Sequence, residues 1–164
     1  MTRYTHEWLC QQIVDSARDA VIFADKDGVI RLWNSGAEAV FGYGAPEAVG
    51  QTLDLIIPER FRERHWEGYR RVMSAGVTKY GRELLAVPGL RKDGTRISLE
   101  FTIVLLKDEG GTPLGAAAII RDVTERWQRE KATRERLSEL EACLAEETLA
   151  EAGAEAPEKQ IKKR

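Results

Sequence analysis

Residues 20–34 read AVIFADKDGVIRLWN. Two hydrophobic, β-prone runs, Ala20–Ala24 and Val29–Trp33, flank Asp25-Lys26-Asp27-Gly28. An Asp-Gly step between hydrophobic runs is a strong hairpin signal, because glycine supplies the positive φ that the turn needs. The stretch therefore predicts two paired strands. Asn34-Ser35 follows at once and can cap a helix over GAEAVFGY. Ala37, Val40 and Phe41 would face inward from that helix, and Gly42-Tyr43-Gly44 would end it.

Upstream, residues 5–18 place Trp8, Leu9, Gln12, Ile13 and Ala17 at helical spacing. This predicts a short amphipathic helix with a core face that is also suited to a partner. Downstream, Ala45–Gly50 makes one more helical turn, and Leu53, Leu55, Ile56 and Ile57 form an apolar connection. Residues 58–76, PERFRERHWEGYRRVMSAG, read as one helix stopped by Gly76. Its inward stripe would be Phe61, His65, Gly68, Tyr69 and Val72, with Arg60, Glu63, Glu67 and Arg70 opposite. A histidine and a glycine are poor choices for an apolar stripe. The ring needs a polar partner, and a mid-helix glycine costs about 1 kcal/mol relative to alanine. Together they suggest that something flat or bulky packs here and is held by His65. Trp66 would point away from His65, onto the surface or a partner.

Beyond Gly76 the period changes to two. Lys79–Leu90 reads as a strand, with Pro88-Gly89 marking a bulge or its end. Lys92-Asp93-Gly94-Thr95 is a turn, and 96–107, RISLEFTIVLLK, alternates with Ile97, Leu99, Phe101, Ile103 and Leu105 on one face. Glu109–Pro113 turns again before a fifth strand at Leu114–Val123. From Thr124 to Leu149 the pattern is helical, with a thin seam at Trp127, Leu137, Leu140 and Leu144. Residues 150–164 are polar and are expected to be disordered.

Composition narrows the class. The chain has 164 residues, 43% hydrophobic and 32% charged, with a net charge of −2. That balance gives no electrostatic case for nucleic acid or an acidic membrane. No apolar run approaches the ~20 residues of a membrane span, and the first ten residues lack a signal peptide's apolar core. Cys10 and Cys143 lie in different predicted helices, so a reduced, cytoplasmic protein is expected. No Cys-x-x-Cys or His-x-x-x-His is present, which argues against a closed zinc site. No Ser-His-Asp or paired-carboxylate arrangement is readable, so catalysis is not expected.

The order of elements, with Asp27-Gly28, Trp33-Asn34, Phe41-Gly42-Tyr43, Arg91-Lys92-Asp93-Gly94 and the Asp122-Val123-Thr124 junction, resembles a PAS domain. The resemblance covers about residues 15–126. It implies an α+β fold: a five-stranded antiparallel sheet with flanking helices, a ligand cavity between them and a C-terminal signalling helix. The organisation expected is an N-terminal helix (1–18), the sensor domain (19–124), the signalling helix or a coiled coil (125–149) and the tail (150–164).

Within the family, Arg64-His65 on this helix resembles the FixL-type oxygen sensors and the haem-PAS phosphodiesterases, with the same spacing from His65 to Asp93-Gly94 as in the FixL type. The resemblance implies haem b ligated by His65 and a diatomic gas (O2, CO or NO) at the iron. The FixL type has tyrosine three residues after its histidine; here Gly68 stands there and Tyr69 follows. The place of the family's distal arginine falls on Leu85 without gaps, or on Arg82 if Gly81-Arg82 is matched. The apolar walls expected are Ile56, Ile57, Tyr69, Val72, Leu85, Leu99, Phe101 and Ile103, with Arg64, Arg71 and Lys79 at the rim for propionates. The flavin-photoadduct subgroup needs a cysteine ahead of this helix, and Gly50–Asp54 has none. The partners expected are the gas, a second copy through the terminal helices, and an unknown signalling protein. The alternative is a cofactor-free dimerisation module or a binder of a small apolar metabolite.

Overall fold

The computed structural model describes residues 4–78 and 83–154, with side chains as far as residue 147. In chain order the elements are α1 (His6–Ser16), β1 (Ala20–Asp25), β2 (Ile30–Trp33), α2 (Ser35–Phe41), α3 (Ala45–Ala48), a 3-10 turn at Leu53–Leu55, α4 (Glu59–Ala75), β3 (Leu85–Leu90), β4 (Arg96–Lys107), β5 (Pro113–Asp122) and α5 (Thr124–Ala154). All strand pairs are antiparallel and the sheet order is β2-β1-β5-β4-β3. The last strand in sequence therefore lies at the centre, and β2 and β3 are the edges.

The β1–β2 turn forms as its residues dictate. Gly28 has φ 77°, its N–H donates to the Asp25 carbonyl at 2.8 Å, and Asp25 Oδ1 accepts from Asp27 N and Val29 N. Asn34 then caps α2, its Oδ1 accepting from Ala37 N at 2.9 Å. The same oxygen accepts from Val21 N, while Nδ2 donates to the carbonyls of Val14, Ala17 and Asp19. One buried side chain so ties the end of α1, the start of β1 and the start of α2.

The core lies between the inner sheet face and α2–α3. Ala20, Ile22, Ile30 and Trp33 meet Ala37, Phe41, Ala48 and Ile56, with Ile97, Leu99 and Ile120 from β4 and β5. Trp33 Nε1 donates to the Tyr43 carbonyl at 3.0 Å, so the indole is buried without an orphaned donor.

Three expectations are corrected. The face of α1 expected to reach the core does not: Trp8, Leu9 and Ile13 are exposed and no residue of the helix is buried. Periodicity marks an apolar face but not what covers it. The strand expected over Lys79–Leu90 begins at Leu85, residues 79–82 lying outside those described, and it runs through Pro88-Gly89 without a bulge. Pro88 pairs with Ser98 and Gly89 with Ile97; a Cβ on Gly89 would come within 2.4 Å of Leu99 Cδ1. An edge strand tolerates a proline that a central one would not. Finally, the last helix continues to Ala154, past the expected onset of disorder at residue 150.

Residues up to Thr124 form one compact unit and those from Glu125 a second. The described residues of the second belong to the charged helix α5, with ion pairs Arg126–Glu130, Arg129–Glu125 and Lys131–Glu135 at i,i+4. Its Trp127, Leu137, Leu140 and Leu144 are exposed. No helix among the described residues is long and apolar enough to cross a membrane.

Candidate functional site

α4 is closed by Gly76, which has φ 67° and donates its N–H to Val72 O. At 3.6 residues per turn the helix presents two adjacent stripes. The first, Arg62, Trp66 and Tyr69, is fixed to the rest of the domain. Arg62 donates to the carbonyls of Ile57 (3.1 Å) and Asp54 (3.0 Å). Trp66 Nε1 donates to Asp54 Oδ1 at 2.8 Å. The Tyr69 hydroxyl lies within hydrogen-bond distance of the carbonyls of Ala24 (3.0 Å) and Asp25 (2.6 Å) at the end of β1. The second stripe, Phe61, His65, Gly68 and Val72, is rotated by one residue and is half-buried throughout.

This arrangement corrects two readings. Trp66 does not point away from His65: the two rings lie edge to face, and the indole covers the β1–β2 turn, where a Cβ on Gly28 would stand 2.2 Å from its ring. Tyr69 belongs to the anchoring stripe, its hydroxyl committed to β1. Burial, with Asp25 and Asp27 nearby, pushes that phenol up to about 12.

His65 sits beside both aromatic rings, 5.1 Å from Trp66 and 5.8 Å from Tyr69 between centroids. Burial lowers its pKa, opposed by the Asp54 carboxylate, so the ring is held neutral. Its Nδ1 is buried with no hydrogen-bond partner, one of two such side-chain atoms among the described residues, the other being Arg91 Nε. No backbone carbonyl accepts from this nitrogen. Next on the same stripe, a Cβ added to Gly68 would meet no atom within 4 Å. There is thus open space beside a neutral imidazole whose Nδ1 has no hydrogen-bond partner.

On the sheet side, Leu85 stands opposite Phe101, Val87 opposite Leu99 and Ile103 opposite Ala118. Directly opposed residues share a face, so these form the inner, apolar surface of β3–β5. Leu85, Phe101 and Ile103 are half-buried and Val87 is 41% exposed. The remaining expected wall residues divide. Leu99 and Ile56 are buried in the core, and Ile57 packs against it together with Phe101. Arg64 and Arg71 are exposed on α4. Lys79 and Arg82 lie outside the described residues, so of the two distal alternatives only Leu85 is placed, on the inner face. Among the described residues no three His, Cys, Asp or Glu side chains gather as a metal cluster.

Sequence reading missed Arg62, Asp54 and the inward course of Trp66. The one available signal was Gly28 itself, bare enough to receive an indole.

A family model described as the PAS fold, PAS_4, matches residues 14–128. The chain belongs to the PAS family. It is 34% identical over 146 residues to the sensor protein FixL of Bradyrhizobium diazoefficiens, covering 87% of this chain and 26% of that protein. It is 30% identical over 117 residues to the cell-division control histidine kinase PdhS of Brucella ovis, covering 71% of this chain and 11% of the kinase. The chain thus spans about a quarter or less of these relatives. Among solved structures, a PAS domain from Colwellia psychrerythraea matches with TM-score 0.63 and 26% identity, covering 71% of this chain and 96% of that one. The PAS domain is a sensory signalling module, and none of these matches indicates a catalytic family.

Proposed function

We propose that this PAS domain is a haem-b-binding sensor with His65 as the iron ligand and a diatomic gas (O2, CO or NO) as its signal. The observation that carries the reading is the buried, unpartnered Nδ1 of a neutral His65, with open space at Gly68 on the same stripe. A neutral imidazole is the form that ligates iron. The similarity to FixL supports the same reading. When bound, haem b would supply an iron centre able to bind the gas. The chain's own residues do the rest. Phe61, Val72, Leu85, Phe101 and Ile103 exclude water. Arg64 and Arg71, with Lys79 by sequence, would supply cations for the propionates, and Arg82 or Leu85 would stand on the distal side. Arg62, Trp66 and Tyr69 fix α4, so that a change at His65 is passed to β1 and the sheet.

At the other end of the sheet, Asp122 joins the pieces of a relay. Its carboxylate pairs with Arg91 at 2.5 Å and accepts from Thr124 N at 2.9 Å, while Thr124 Oγ1 accepts from Ser98 N. Burial raises the Asp122 pKa, but the bonds from Thr124 and Arg91 outweigh it and hold the carboxylate ionised. This knot at the start of α5 is where a shift in β4 and β5 reaches the signalling helix. The exposed Leu137, Leu140 and Leu144 seam suits a second copy of the chain.

Hemin titration tests the assignment. The wild-type chain should take up hemin with a sharp Soret band, and His65→Ala should lose or shift that band. An unchanged band and affinity in His65→Ala would remove His65 as the ligand. No uptake by the wild type would favour the cofactor-free module.

A further inference from the structure

The helix α1 carries a pair of donors that the sensor reading does not use. His6 and Cys10 stand at i and i+4, one above the other on the same helix face. Thr5 fixes the start of the helix, its Oγ1 accepting from Trp8 N at 3.1 Å. Cys10 Sγ and His6 Nε2 are 3.5 Å apart, and both residues are exposed. Metal–nitrogen and metal–sulfur bonds of about 2.1 and 2.3 Å at a tetrahedral ion place the two donors about 3.6 Å apart. The contact is a thiol–imidazole hydrogen bond whose length matches that spacing, so an ion can take the place of the shared proton without movement of the helix.

We propose that His6 and Cys10 form an open site for a borderline divalent ion of the zinc class, with Nε2 and thiolate Sγ as the two protein donors. Imidazole with thiolate selects Zn2+, Co2+ or Ni2+ over the hard ions Mg2+ and Ca2+. The thiol proton passes to solvent as the metal–sulfur bond forms, so binding strengthens with rising pH. Water fills the remaining positions, since no third His, Cys, Asp or Glu joins the pair among the described residues. The site is separate from His65, which lies on α4.

Titration of the full, hemin-free chain with Co2+ tests this. A near-ultraviolet thiolate-to-cobalt charge-transfer band should grow in and be displaced by Zn2+. Cys10→Ser should abolish it. Losing even an outer-shell partner weakens metal binding about 10–100-fold, so His6→Ala, which removes a direct donor, should weaken Co2+ binding by more than about tenfold. Cys143→Ser and His65→Ala should leave the titration unchanged. No residue of α1 is buried, so these variants are read on a folded domain, checked by circular dichroism. A wild type with no band, a band that survives Cys10→Ser, or equal affinity in His6→Ala would overturn the proposal.

Discussion

Replacing Asn34 with alanine should be among the most damaging single changes in this domain, and the structure says by how much. The residue is 3% exposed. Its Oδ1 accepts from Val21 N at 2.8 Å and Ala37 N at 2.9 Å, and its Nδ2 donates to Val14 O at 2.8 Å and Asp19 O at 3.1 Å, with Ala17 O at 3.3 Å. Loss of the helix cap alone costs about 1 kcal/mol. The half-buried Val21 amide loses the same acceptor and is left without its partner, which adds about 1–3 kcal/mol. The carbonyls near α1 are closer to solvent and add less. The total is about 3–4 kcal/mol, a large part of a small domain's stability. With an m-value of about 1.5–2 kcal/mol/M, the urea midpoint should fall by about 2 M. Ser35→Ala is the control: it removes one exposed hydroxyl bonded to Asp15 O and should cost about 0.5–1 kcal/mol. An Asn34→Ala loss no greater than that of Ser35→Ala would refute the reasoning.

Acid should destabilise the domain in two separate windows. Burial lowers the His65 pKa below 6.5, so as pH falls the unfolded chain takes up that proton first. The contribution is present above about pH 6.5 and is lost as pH falls through the folded value, and His65→Leu should flatten the stability curve there; an identical curve would contradict the assignment. Asp19, Asp25 and Asp122 have pKa values lowered beneath 3.8, so their contribution is lost only in stronger acid. Gly68→Ala should stabilise the hemin-free protein by about 1 kcal/mol, because the added methyl meets nothing. Gly68→Leu should reduce hemin uptake without unfolding the domain, and unchanged uptake would place the ligand elsewhere. Gly28→Ala combines a left-handed φ, costing about 1–2 kcal/mol, with a clash against the Trp66 ring. At about 2–4 kcal/mol in all, it should lower the melting temperature by about 10 °C, and a near-native melt would show that Trp66 does not lie on the turn.

Local chemistry made much of the fold legible. Asp27-Gly28, the Asn34 cap, the glycines at 42 and 76 and the alternation of 96–107 each impose geometry through a near neighbour, and each appears in the structure. What was hidden depends on residues far apart in sequence. That β5 divides β1 from β4 is a property of the whole sheet. Trp66 turns inward because Gly28, 38 positions earlier, has no side chain in its way. Tyr69 is diverted to the anchoring stripe by carbonyls at the end of β1. Helical periodicity locates a stripe to within about one residue, or 100° of rotation, which here separates the anchoring stripe from the one that carries His65. His65 was legible because its residue type was wrong for an apolar stripe. The part that Asp54 plays, joining Arg62 and Trp66, had no signal in spacing.

The β3 edge bears on how copies of this domain can associate. Alternate residues of a strand direct their N–H groups to the same side. Leu90 N donates to Ile56 O, outside the sheet, so Pro88 and Ala86 address that same outer edge. One of those three positions has no N–H, another is already taken, and only Ala86 is left to receive an incoming strand. A chain attempting to extend the sheet there would find a single amide donor, with carbonyls alone to continue the ladder. Sheet-to-sheet polymerisation through β3 is thereby discouraged at the level of the backbone, and association at this edge is left to side-chain surfaces, where individual substitutions can tune or abolish it.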